Sequence, residues 1–111
     1  MNKIKSKKMT IVQVLPALNS GGVERGTLEI SKYLVSKKHR SIVISQGGRM
    51  KEKLVLEGGE HIELPIGKKS LLTLRLIPKI IKILRKNKVD ILHVRSRFPA
   101  WICLIAIKFM E

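Results

Sequence analysis

A β-branched, apolar run from Met9 to Leu15 leads into a turn that ends Asn19-Ser20-Gly21-Gly22, and the turn leads into a helical pattern. The run reads as a buried strand. Beyond the turn, Leu28, Ile30, Tyr33, Leu34 and Val35 recur at helical spacing. Strand, glycine turn and helix in that order open a βαβ unit, and ligands bind at such turns. Gly21 and Gly22 lack a Cβ, so their backbone can take φ > 0 and come close to a bound group. The free N–H groups and dipole of the following helix favour an anion there. Ser20 or Asn19 is placed to cap that helix. The turn is neither G-x-G-x-x-G nor G-x-x-x-x-G-K-[ST], so a plain tight turn is the competing reading.

The same alternation continues. The first strand covers about Thr10 to Leu15 and the first helix about Val23 to Lys37, closed by Lys37, Lys38, His39 and Arg40, whose charges suit a helix C-terminus. Ser41 to Ser45 reads as a second strand covered on both faces. A second turn, Gln46-Gly47-Gly48-Arg49, precedes a helix over Met50 to Glu57, which Gly58-Gly59 stops. His61 to Leu64 is a brief third strand ended by Pro65. Leu71 to Lys86 is an amphipathic helix that Pro78 either kinks or starts. Its Arg75, Lys79, Lys82 and Lys86 step by four, three and four into one basic stripe, opposite Leu74, Ile77, Ile80, Ile81 and Leu84. That stripe fits an anionic membrane surface or an ordinary solvated face. Val89 to Val94 is the fourth strand, and Phe98 to Met110 an apolar helix shorter than the about 20 residues that span a bilayer. Four strands alternating with helices predict an α/β, Rossmann-like parallel sheet with flanking helices. A full sheet of this kind has about six strands, so the chain reads as cut short.

Composition narrows the partners. With 23 Lys and Arg against 8 Asp and Glu, the net charge is +15, which favours polyanions: nucleic acid, anionic lipid or a phosphorylated glycolipid. Aromatics are 4% of 111 residues, too sparse for the stacking surfaces of nucleic-acid modules, so no nucleic-acid partner is expected. Cys103 is the single cysteine, lies in an apolar run and reads as a structural thiol. One Cys and three scattered His lack metal-ligand spacing, so no metal is expected. Residues 1–8 read as a basic tail, without the pattern of a secretory signal.

In a parallel sheet, ligands bind beyond the C-terminal ends of the strands. That edge collects Asn19, Ser20, Gly21 and Gly22 from the first turn and Gly47, Gly48 and Arg49 from the second. His93, Arg95, Ser96 and Arg97 come from the end of the fourth strand. Arginine forks bind phosphate or carboxylate bidentately. In the competing reading, Arg95 and Arg97 pair with Asp90 or Glu24, and His93 is a hydrogen-bonded sheet residue. His39 and His61, at element ends, read as surface residues.

Gln13 to Gly26, Ser45 to Arg49 and Asp90 to Trp101, with its Arg95-Ser96-Arg97-Phe98-Pro99-Ala100-Trp101, resemble the N-terminal half-domain of bacterial family-4 glycosyltransferases. The resemblance runs from about Thr10 to Met110 and is nearest to lipopolysaccharide or capsule sugar transferases with an R-S-R-x-P-A-W motif. It implies a retaining, metal-independent enzyme of the B type, with two Rossmann-like domains across a cleft. It implies that Gly21, Gly22 and Glu24 lie by the donor phosphates and that His93 lines the reaction centre. Arg49, Arg95, Ser96 and Arg97 are expected on the acceptor side from their charge and position.

On this reading, residues 9–111 are a partial acceptor-side domain, and the donor domain with its Glu-x7-Glu motif is missing. Glu52 and Glu60 have that spacing but lie in the wrong half. No cofactor is expected in this chain, since the nucleotide sugar belongs to the donor domain. The expected function is the acceptor half of a glycosyltransferase, inactive alone, cytoplasmic and peripheral to the inner face of the membrane. Its expected partners are a separately encoded donor domain and an anionic glycolipid or membrane surface. The alternatives are a non-catalytic basic module that docks on lipid or a partner chain, and the product of a decayed gene.

Overall fold

The computed structural model describes residues 8–18, 21–66, 74–95 and 97–110. Four strands and four helices alternate: β1 (Thr10–Val14), α1 (Gly22–Ser36), β2 (Arg40–Ser45), α2 (Lys51–Leu56), β3 (Glu60–Glu63), α3 (Leu76–Lys86), β4 (Ile91–Val94) and α4 (Arg97–Met110). The sheet order is β3-β2-β1-β4 and every pairing is parallel. This is the Rossmann-like α/β fold that the alternation predicts. It carries β1 and its following turn to the middle of the sheet.

Strand alternation sorts the residues onto two unlike faces. Val12, Val14, Ile42 and Ile44 pack with Leu76, Ile77, Ile80 and Leu84 of α3 and with Ile102, Cys103 and Ala106 of α4. The buried part of that face is apolar. The α1 side has Val43 against Leu15, Leu18, Leu28 and Leu54, but it is also laced with hydrogen bonds. Gln13 Nε2 donates to the Thr27 carbonyl at 3.2 Å, and Ser41 Oγ donates to Ser31 Oγ at 2.7 Å. All four of those residues are buried.

Three helices end alike. Gly58 (φ 95°), Lys38 (φ 69°) and Lys88 (φ 50°) take left-handed backbone just past α2, α1 and α3. At each, paired backbone bonds close a Schellman motif, as where His39 N–H donates to the Leu34 carbonyl and Lys38 N–H to that of Val35. Lys38 thus ends α1 through its backbone. Arg40 closes no helix: it opens β2 and grips Glu60 of β3 through Nε (2.6 Å) and Nη2 (2.8 Å). Pro78 falls in the first turn of α3, where its missing N–H has no intrahelical acceptor, so it marks the helix start and makes no kink. Leu74 lies before α3 and is 42% exposed, off the apolar side expected for it.

The two edges of the sheet differ. β3 carries Glu60 and Glu63 and is followed by Pro65, features that discourage further pairing. β4, Ile91-Leu92-His93-Val94, carries no such guard on the side away from β1. The apolar helix α4 packs on the sheet through one side and leaves the other open: Trp101 is 60% exposed, Leu104 52% and Phe109 72%. Among the described residues no helix is long and apolar enough to cross a membrane.

Candidate functional site

The C-terminal edge of the sheet is stitched together by backbone hydrogen bonds. Leu18 N–H, in the turn after β1, donates to the Gly47 carbonyl at 2.8 Å. Gln46 N–H returns a bond to the Pro16 carbonyl at 2.9 Å, and Met50 N–H reaches the Leu18 carbonyl at 2.8 Å. The exit of β4 joins through Arg95 N–H to the Val14 carbonyl at 2.9 Å. The three turns therefore meet at one edge.

Within the first turn, the expected roles shift. Gly21 is the N-cap of α1 with extended backbone (φ 168°, ψ 172°), and among the described residues no side chain caps the helix. Neither Gly21 nor Gly22 uses the left-handed backbone open to a glycine. The chain's own Glu24 takes the space beside Gly21: a Cβ on that glycine would lie 2.6 Å from Glu24 Oε1. An acidic side chain three residues into a helix answers the positive end of its dipole. Gly22 is different: among the described residues nothing lies within 4 Å of where a Cβ would sit. Its glycine is not demanded by the chain's own packing. Asn19, Ser20 and Ser96 lie outside the described residues, and Arg97 is described in its backbone alone.

In the second turn, Gly47 does use its freedom, with φ 94°. Its N–H donates to Ser45 Oγ at 3.0 Å, and that hydroxyl lies 2.7 Å from His61 Nε2. His61 is therefore no simple surface residue: it is half-buried in β3, and its Nδ1 is buried with no partner among the described residues. Burial, with the Lys51 charge nearby, holds it below the ordinary histidine range, against a smaller opposing pull from Glu63. His39 is likewise engaged, its Nδ1 accepting from Met9 N–H at 3.0 Å. Arg49 is exposed.

At the end of β4, His93 is exposed and in register with Gln13, on the α1 side of the sheet. Arg95 does not pair with Asp90 or Glu24. Its Nε and Nη2 donate to Gln13 Oε1 at 3.0 and 2.8 Å, while Asp90 Oδ2 accepts from Thr10 N–H at 2.8 Å. Gln13 is the Arg95 partner that the sequence did not advertise, since a lone amide in an apolar strand carries no periodic signal.

The well-formed grooves lie elsewhere. One of about 340 Å³ between α1 and α2 is lined by Arg25, Glu29, Lys32 and Glu57 among others. Another of about 430 Å³ runs beside β4, lined by Leu84, Val89, Leu92, Ile107 and Met110. Neither is lined by the glycines of the turns or by Arg95. The edge where the turns meet is the better candidate because it gathers the polar chemistry.

Residues 20–110 match the sequence profile of Glycosyltransferase Family 4. The chain belongs to that family. This family-4 chain is also similar to the crystal structure of a glycosyltransferase from Rickettsia africae ESF-5, at 45% identity over 94% of its length with a TM-score of 0.82. The same alignment takes in 28% of the Rickettsia chain, so the family-4 domain here spans under a third of that enzyme's length. No curated protein matches the chain. Among the described residues, no three His, Cys, Asp or Glu side chains gather as a metal site would require.

Proposed function

We propose that this chain supplies the acceptor-binding half of a family-4 glycosyltransferase, which moves a sugar from a nucleotide-sugar donor to an anionic lipopolysaccharide or surface-polysaccharide acceptor. The observation that carries the reading is the edge itself. In a family-4 domain, three turns meet there, and they bring an open glycine at Gly22 and a guanidinium at Arg95 that no described carboxylate neutralises. Gly21, Gly22 and Glu24 lie by the donor phosphates, and His93 lines the reaction centre. Arg49, Arg95, Ser96 and Arg97 hold the acceptor's anionic groups. Transfer needs charge stabilisation at the leaving diphosphate, which a donor-binding domain provides. That domain comes from further polypeptide, either continuous with this segment or separately encoded, and residues 9–111 alone do not transfer sugar.

The exposed stripe of Arg75, Lys79, Lys82 and Lys86 on α3, opposite a buried apolar side, supports a peripheral position on anionic lipid. It also favours the second reading, a non-catalytic module bound to lipid. The test is transfer of labelled sugar from a panel of nucleotide sugars to lipopolysaccharide, with this chain alone and with the remaining part of the Rickettsia africae enzyme added. Transfer only in the mixture, lost in Arg95→Gln, supports the acceptor-half reading. Salt-sensitive sedimentation with anionic vesicles and no transfer in any mixture supports the module instead.

A further inference from the structure

Gln13 sits in the middle of β1, fully buried, with Val12 and Val14 on either side. A buried amide persists in such a place when both its ends are bonded, and here they are. Oε1 accepts two bonds from Arg95, at 3.0 and 2.8 Å, across 82 positions of sequence. Nε2 donates to the Thr27 carbonyl at 3.2 Å, and the Thr27 hydroxyl donates to the Val23 carbonyl at 2.8 Å. One side chain thus ties the exit of β4 to the first turns of α1.

We infer that Gln13 is a positioning residue that holds the Arg95 guanidinium ready for an anionic group of the acceptor. This rests on the reading of Arg95 given above. A guanidinium offers five N–H donors in a planar fork. Gln13 takes the Nε/Nη2 edge, which leaves the Nη1/Nη2 edge for a bidentate phosphate or carboxylate. The partner's neutrality is the essential point. A carboxylate at position 13 could still accept both Arg95 bonds, but it would cancel the arginine's charge and could not donate to the Thr27 carbonyl. An amide orients it and leaves the charge for the ligand. Among the described residues, no carboxylate forms an ion pair with Arg95.

The test compares the full chain with Arg95→Gln, Gln13→Glu and Gln13→Met. The probe is inorganic phosphate, titrated while the Arg95 Nε–H resonance is followed by ¹⁵N NMR. Gln13→Met is expected to stay folded, lose the slowly exchanging Nε–H signal and raise the phosphate Kd at least tenfold. Gln13→Glu is expected to keep that signal yet raise the Kd as much, because the charge is cancelled. A merely structural role predicts that Gln13→Glu, which keeps the bonds to Arg95, binds phosphate like the unaltered chain. That result overturns the inference, as does wild-type affinity in a folded Gln13→Met. Either variant decides the matter if the other is unfolded. Wild-type affinity in Arg95→Gln, or no phosphate binding by the unaltered chain, overturns the reading of Arg95 and this inference with it. Loss in Arg95→Gln with wild-type affinity in both Gln13 variants overturns the positioning role alone.

Discussion

Replacing Gly22 by alanine should separate what the fold needs from what a ligand needs. Gly22 is the first residue of α1, exposed, without positive φ, and with nothing among the described residues within 4 Å of an added Cβ. Gly26, one turn further along the same helix, has equally open surroundings and serves as the control. Glycine inside a helix costs roughly 0.5–1 kcal/mol relative to alanine. Gly26→Ala should gain most of that, a rise of roughly 4 °C in melting temperature for a domain of this size. Gly22, at the frayed end, should gain about half as much. Thermal melts followed by circular dichroism measure both. Inorganic pyrophosphate is then titrated against the backbone N–H resonances of residues 22–24, which precede the first intrahelical bond from Arg25 N–H to the Gly21 carbonyl. Gly26→Ala should bind as the unaltered chain does. Gly22→Ala should bind at least tenfold more weakly, because its methyl group occupies the approach to those N–H groups. A Gly22→Ala protein destabilised by more than about 1 kcal/mol would show that the fold requires the glycine, contrary to its open surroundings. Unaltered pyrophosphate binding by that variant would show that no phosphate approaches this turn.

Lys38 and Lys88 each hold a left-handed conformation that costs a side-chain-bearing residue about 1 kcal/mol, so Lys38→Gly and Lys88→Gly should each raise the urea midpoint by a corresponding amount. A fall in the midpoint would mean that the lysine side chains contribute more than their backbone strain costs. His61 is held below its ordinary range, so the folded state favours its neutral form. Its contribution is full above about pH 6.5 and is lost as pH falls through the depressed folded value, and His61→Gln should flatten the stability-pH slope between pH 7 and 5. Equal slopes in the two proteins would exclude that linkage. Burial pushes the Cys103 thiol up to about 11, so a thiol-specific disulfide reagent at pH 8 should label it only in denaturant, and labelling of the native chain would contradict its burial.

Element order was legible because short continuous apolar runs such as Ile42-Val43-Ile44 alternate along the chain with a 3.6-residue period such as Leu76, Ile77, Ile80 and Leu84. Turn residues marked several boundaries: Gly58 ends α2 with φ 95°, and Pro78 marks the first turn of α3. The C-termini of α1 and α3 were legible only roughly. Their left-handed residues are lysines, and a lysine signals charge, not conformation. The unequal faces of the sheet were not legible at all. Strands that read as uniformly apolar carry Gln13, Ser41 and Ser45 toward α1 and its neighbours, and only the three-dimensional pairing gives those groups partners.

The candidate site was legible in its outline for a topological reason. A parallel sheet delivers every strand's C-terminal end to one edge, so the glycine turns and the arginines after β4 had to converge. Which of them can act could not be read that way. Gly21 looked as available as Gly22, yet Glu24, three residues on, folds back beside Gly21 and leaves Gly22 open. The competing reading paired Arg95 with Asp90 or Glu24. The acid is spent elsewhere, at the start of β1, where Asp90 Oδ2 accepts the Thr10 N–H. Arg95 takes the buried amide of Gln13 in its place, 82 positions away. Desolvation makes that substitution consequential: a polar group inside a strand must find partners, and the partner it finds is fixed as firmly as the core around it. The buried β1 strand therefore serves two ends through one residue, holding the α1 face together and fixing a guanidinium with its charge intact.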